Sequence, residues 1–179
     1  LRLSRGLGDV YKRQVSESSK AECPILQADY MFFSRAGERC DDKDQSKLMT
    51  CISGINTQTG HSLFATVPRK GVSSYNVRVL THWIQEQGQP KVELRTDSES
   101  PITALAKQVQ AKLGHEKVKL STTPRYSHAS LGSAEAVNAR HAGSFRTWLA
   151  ALNESYPEII LDCSSDVVMW LPRHISWLD

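Results

Sequence analysis

Residues 25–33, Ile-Leu-Gln-Ala-Asp-Tyr-Met-Phe-Phe, form a run of strand length with apolar side chains at both even and odd positions. A strand with one wet face alternates apolar and polar residues, so this run predicts a central strand covered on both sides. One residue contradicts the pattern. Asp29 stands in the middle of the run, where an unpaired carboxylate carries a heavy desolvation cost unless something compensates it. A compensating cation is the economical explanation.

Working outward, residues 47–56 and 61–67 are two further strand-like runs joined by the turn-forming Thr57-Gln58-Thr59-Gly60, with the charged loop 37–45 before them. Short connections between three such runs predict an antiparallel meander. The period then changes. Val72, Val77, Leu80, Trp83 and Ile84 recur at helical spacing, with Ser73 or Ser74 able to cap the start and Gly88 able to end it. Residues 91–97 read as a strand. A helix follows with Ser100 as N-cap, Pro101 at its first position, Ile102, Leu105, Val109 and Leu113 on one stripe, and Gly114 closing it.

Residues 117–124 are short, alternating and stopped by Pro124, which suits a strand near the sheet edge. Residues 133–154 place Val137, His141, Phe145, Trp148 and Leu152 on one helical face, and the last apolar segment is interrupted by Pro172, predicting a kink or two short helices. The order βββαβαβα plus C-terminal helices predicts an α/β fold: a mixed five-stranded sheet with helices on both faces.

The chain's 179 residues, 40% of them hydrophobic, suffice for one well-buried domain. Residues 1–20 are polar and aperiodic and read as a disordered or foreign segment, leaving 21–179 as the domain. The absence of a capping signal at Asp179 leads to the expectation of a domain truncated at its C-terminus. No apolar stretch approaches bilayer length and the first residues lack a signal-peptide core, so a soluble, intracellular, non-secreted protein is expected. Cys23, Cys40, Cys51 and Cys163 form no CxxC pair, which points to reduced structural thiols rather than zinc or disulfides. A net charge of +3 decides nothing about partners.

Two further carboxylates join Asp29. Asp97 closes the strand 91–97, at the carboxyl end where open α/β sheets bind ligands. Glu135 falls in the first turn of its helix, where the helix dipole favours an acid even without a function. Each has an ordinary explanation alone. The topology, however, makes the first strand and the strand after the first helix central neighbours, so acids from both and from a packed helix can meet. Three hard oxygen donors without His or Cys suit Mg²⁺ or Mn²⁺ rather than zinc.

At these residues the chain resembles the DDE integrases of retroviruses and LTR retrotransposons, within the RNase H-like superfamily. The segment LQADYMFF matches the family's first-strand Asp segment, LRTDSES stands where a TDNG-like motif is usual, and LGSAEAVNARH corresponds to a GxxExxN helix start with Gly132, Glu135 and Asn138 in register. TTPRYSHAS occupies the place of the family's mobile loop, and the resemblance runs from about Ile25 to the C-terminus. Ser98 and Glu99 depart from the common Asn-Gly, and Ala139 and Ala142 stand where relatives often carry lysines.

The resemblance implies an integrase catalytic core performing two-metal nicking of DNA 3′ ends and strand transfer. Asp29, Asp97 and Glu135 would be both the catalytic and the metal residues, with two Mg²⁺ or Mn²⁺ ions. It also implies element-end and target DNA as partners, homo-oligomers, and action in the nucleus. Lys117, Lys119 and Arg125 flank the last strand and could follow phosphates. Tyr126 could stack on a base, and Asn138 and Arg140 complete the nucleic-acid candidates. The alternative is a catalytically degenerate RNase H-like domain that binds nucleic acid or a partner, favoured by Ser98 and Glu99. Trp83, Trp148, Trp170 and Trp177 read as core or oligomer-interface residues.

Overall fold

The computed structural model describes residues 23–122 and 132–178. The expectation for residues 1–20 lies outside these, as do Arg125 and Tyr126. The sheet is built from β1 (Ile25–Ser34), β2 (Arg39–Cys40), β3 (Lys47–Asn56), β4 (Ser62–Val67), β5 (Val92–Thr96) and β6 (Val118–Thr122). Its order is β4-β3-β1-β5-β6, antiparallel from β4 to β1 and parallel from β1 to β6, with β2 pairing β1. The meander, the central pairing of β1 with β5 and the edge position of β6 are as the sequence predicts. Among the described residues the sheet has six strands rather than five. Gly37, at φ 80°, and the bond from Ser34 N–H to Glu38 O fold the charged loop back, so that Arg39 and Cys40 lie opposite Phe33 and Phe32.

Side chains alternate along β1 and give the sheet two covered faces. Leu26, Ala28, Tyr30 and Phe32 join Leu80, Trp83, Ile84, Ile102, Leu105 and Val109 from α1 (Ser74–Glu86) and α2 (Ser100–Leu113). Met31 and Phe33 join Met49, Cys51 and Phe64 against Phe145, Leu149, Val168 and Ile175 from α3 (Gly132–Ser155) and α4 (Asp166–Leu178). The close approach of α1 requires Gly54. A Cβ there would stand 2.9 Å from Gln27 O and 2.9 Å from the Trp83 ring.

Local signals hold with three shifts. Ser73 caps α1, its hydroxyl accepting from Asn76 N–H at 3.0 Å. The α2 cap falls on Glu99 rather than Ser100 and makes no side-chain cap bond, because the Glu99 carboxylate is engaged by Lys70 instead. On α3 the buried face runs through Val137, His141, Phe145 and Leu149, while Trp148 is exposed and meets His174 edge-on at 5.7 Å. Pro172 does not split the last helix. It forgoes one backbone bond, but burying Val168, Leu171, Pro172 and Ile175 on one side keeps the helix continuous from Asp166 to Leu178.

Candidate active site on the α3 face of the sheet

Period-2 alternation puts Ile25, Gln27 and Asp29 on the α3 face of β1. In the parallel neighbour, Gln27 stands opposite Arg95 and Ala28 opposite Thr96, and Asp97, the next residue after β5, lies close enough for its charge to act on Asp29. Asp29 also stands across from Ser53 on β3. Its carboxylate accepts the Tyr30 N–H at 2.7 Å and has no ion-pair partner among the described residues. Burial pushes the Asp29 carboxyl above its ordinary range. The Tyr30 hydrogen bond opposes this, the negative charges of Asp97 and Glu99 add to it, and Arg39 opposes it. Asp97 is held at the strand end by the Ser98 N–H, 2.5 Å from its Oδ1.

Helix α3 is anchored onto this face by polar contacts. The buried Gln27 carboxamide oxygen accepts the Ala134 N–H at 2.9 Å, satisfying one of the free donors of the helix start. Two turns on, the fully buried His141 bridges Ser53 Oγ (3.0 Å from Nδ1) and Ser62 Oγ (3.1 Å from Nε2) and stacks on Phe64. Glu135, next to Ala134, is exposed in the first turn. Asn138 is buried and its Oδ1 has no hydrogen-bond partner among the described residues. Among the described residues no three His, Cys, Asp or Glu side chains form a metal-holding group. Asp29 and Asp97 are thus brought together, and Glu135 begins beside their face without joining them.

The basic candidates are more dispersed. Lys119 Nζ lies 3.6 Å from Glu93, which also accepts from Arg95 (2.8 Å) and Ser121 (2.7 Å), so this charge belongs to a polar lattice across β5 and β6. Lys117 is half-buried just before β6, and Arg140 is exposed on α3. Arg146 is paired with Glu38 at 3.0 Å.

No family model matches the chain, and no curated protein matches it. Solved structures do. A chain of the simian T-cell lymphotropic virus intasome in complex with PP2A regulatory subunit B56 gamma is 20% identical with a TM-score of 0.53; the match covers 82% of this chain and 46% of that one. The catalytic core domain of BIV integrase is 15% identical, with a TM-score of 0.46 and coverage of 83% and 79%. The HTLV-2 integrase catalytic core domain in complex with magnesium is 16% identical, with a TM-score of 0.49 and coverage of 82% and 82%. The fold is one shared with a chain of that retroviral intasome.

Within this fold, Asp29 occupies the central strand, Asp97 directly follows its parallel neighbour and Glu135 lies in the first turn of the helix laid across them. Two contributors escaped the sequence reading. Gln27 was legible, being a polar residue one period-2 step from Asp29 in an apolar run. Lys70, which binds Glu99 beside the site, carries no local signal.

Proposed function

We propose that this domain is the catalytic core of a retroelement integrase, nicking DNA 3′ ends and transferring them to target DNA. The observation that carries the reading is the Asp29–Asp97 pair, two carboxylates within electrostatic reach of each other, with Asp29 part-buried and without an ion-pair partner among the described residues. Such a pair is costly without a cation, and its hard oxygen donors fit Mg²⁺ or Mn²⁺. Divalent ions held there would supply Lewis-acid activation of the attacking oxygen and charge stabilisation at the leaving oxygen.

The chain's own residues do the rest. Asp29, fixed by the Tyr30 N–H and the rigidity of a central strand, offers an oriented carboxylate. Asp97 offers the second from the end of β5. Glu135 is the proposed third, carried by a helix whose start is tied to Gln27 and whose second turn carries Asn138, its Oδ1 without a hydrogen-bond partner among the described residues. DNA binding and action in the nucleus belong to the same reading. Self-association is proposed through the groove of about 930 Å³ between β3, β4, α1 and α4, rimmed by the exposed Trp170 and Trp177.

The test is Mn²⁺-dependent nicking of a DNA oligonucleotide by the 179-residue chain. Cleavage that Asp29→Asn abolishes, with the fold intact by circular dichroism, supports the reading. Cleavage unaffected by that substitution removes Asp29 from the mechanism. The second reading, a non-cleaving nucleic-acid-binding domain, is favoured by Glu135 standing apart from the pair among the described residues. DNA binding without nicking under any divalent ion would select it.

A further inference from the structure

Glu99 directly follows Ser98 in the loop after β5 and contributes negative charge to the surroundings of Asp29, yet its own carboxylate is engaged by a lysine. Its Oε2 lies 2.6 Å from Lys70 Nζ, whose side chain is only 18% exposed. That ammonium sits over the Tyr30 ring at 5.6 Å and the Phe32 ring at 5.1 Å. Tyr30 and Phe32 belong to the α1–α2 face of β1, opposite to Asp29. Lys70 is therefore on the far side of the sheet, and it holds Glu99 there.

The holding arm is built rather than incidental. Gly71 N–H donates to the Tyr30 hydroxyl at 2.9 Å, and the fully buried Asn76 donates to Arg69 O (2.9 Å) and Gly71 O (2.8 Å). Lys70 also binds Asp42 at 3.1 Å, and Asp42 in turn binds Lys47 at 2.8 Å. Two ammonium groups and two carboxylates form one balanced chain, so Lys70 is committed to Glu99 and Asp42.

We infer that Lys70 is a positioning residue that pins the Glu99 carboxylate on the α1–α2 side of the sheet and so withholds it from the Asp29–Asp97 pair. The inference rests on the metal-site reading of that pair. A third carboxylate one residue beyond Ser98 would otherwise be free to add a ligand, and hard-cation affinity rises with the number of charged oxygen ligands. Lys70 thereby sets which acids make the site.

Mn²⁺ alone, titrated calorimetrically into the full chain, tests this. Lys70→Met should bind about tenfold more tightly than wild type, Lys70→Arg should match wild type, and Lys70→Met/Glu99→Gln should lose the gain. Glu99→Gln alone should stay within about threefold of wild type, because a pinned carboxylate is no ligand. This last variant keeps Lys70, so it remains informative if Lys70→Met fails to fold. No gain in a folded Lys70→Met, a gain that survives Glu99→Gln, or a tenfold loss in Glu99→Gln alone overturns the inference. Wild-type affinity indifferent to Asp29→Asn overturns the metal-site reading instead, and is seen separately.

Discussion

Asp29→Asn removes one charge from the part-buried face of β1 and leaves nearly the same shape. The asparagine carbonyl can still accept the Tyr30 N–H, so the bond at 2.7 Å has a replacement. What disappears is the desolvation of an ion and its repulsion by Asp97 and Glu99, against a small loss of attraction to Arg39. Replacing buried ionic groups is often neutral or stabilising by a few kcal/mol; for a partly exposed site roughly 1 kcal/mol is reasonable. In a domain of this size that raises Tm by about 2–4 °C in EDTA. With Mn²⁺ the order should reverse. Ligand at a hundred times its Kd stabilises wild type by about 2.7 kcal/mol and leaves the variant unmoved. Calorimetric scans of both proteins, with EDTA and with Mn²⁺, give all four values. A variant less stable than wild type in EDTA would mean that the carboxylate is already compensated and structural, refuting the cation argument at its root.

Two other outcomes follow from the structure. The Glu93 carboxyl is held below its ordinary range by hydrogen bonds from Ser121 and Arg95, partly offset by burial and assisted by the charges of Arg95 and Lys119. A lowered folded value contributes stability above the unfolded value of about 4.5 that is lost as pH falls through the folded one. Glu93→Gln should therefore cost about 1 kcal/mol at neutral pH, and denaturant unfolding should show the gap to wild type closing below pH 4.5. Trp170 and Trp177 are 74% and 71% exposed, so replacing both with alanine should leave the thermal midpoint nearly unchanged. The same substitutions should shift sedimentation from a self-associated species toward monomer; an unchanged distribution would locate any self-association elsewhere.

The fold was legible wherever a periodic signal met a two-sided environment. The run 25–33 is apolar at both parities because helices cover both faces, and the nearness of Asp29 and Asp97 follows from the parallel pairing of β1 with β5. Strand β2 was not legible, because two charged-loop residues reach the sheet only through the Gly37 turn. Trp148 was assigned to the buried stripe of α3 from spacing alone. The sheet selects instead the line through His141, Phe145 and Leu149, where Ser53, Ser62 and Phe64 offer matching partners. Pro172 misled for a related reason, since the cost of one missing bond is smaller than the gain from burying a whole helix face.

At the site, two of the three acids could be placed from topology, as each ends or occupies a strand whose register is fixed. Glu135 could not, because a helix start is positioned by side-chain contacts such as Gln27 to Ala134 that leave no periodic trace. The Lys70–Glu99 contact joins loops 29 residues apart and is likewise invisible to local pattern.

The most direct measurement is an anomalous difference map from a crystal of the chain soaked in Mn²⁺. The account predicts a peak coordinated by the carboxylates of both Asp29 and Asp97, absent in Asp29→Asn. Manganese bound only away from β1 and β5, or an Asp29 carboxylate that stays unliganded at saturating Mn²⁺, would contradict it.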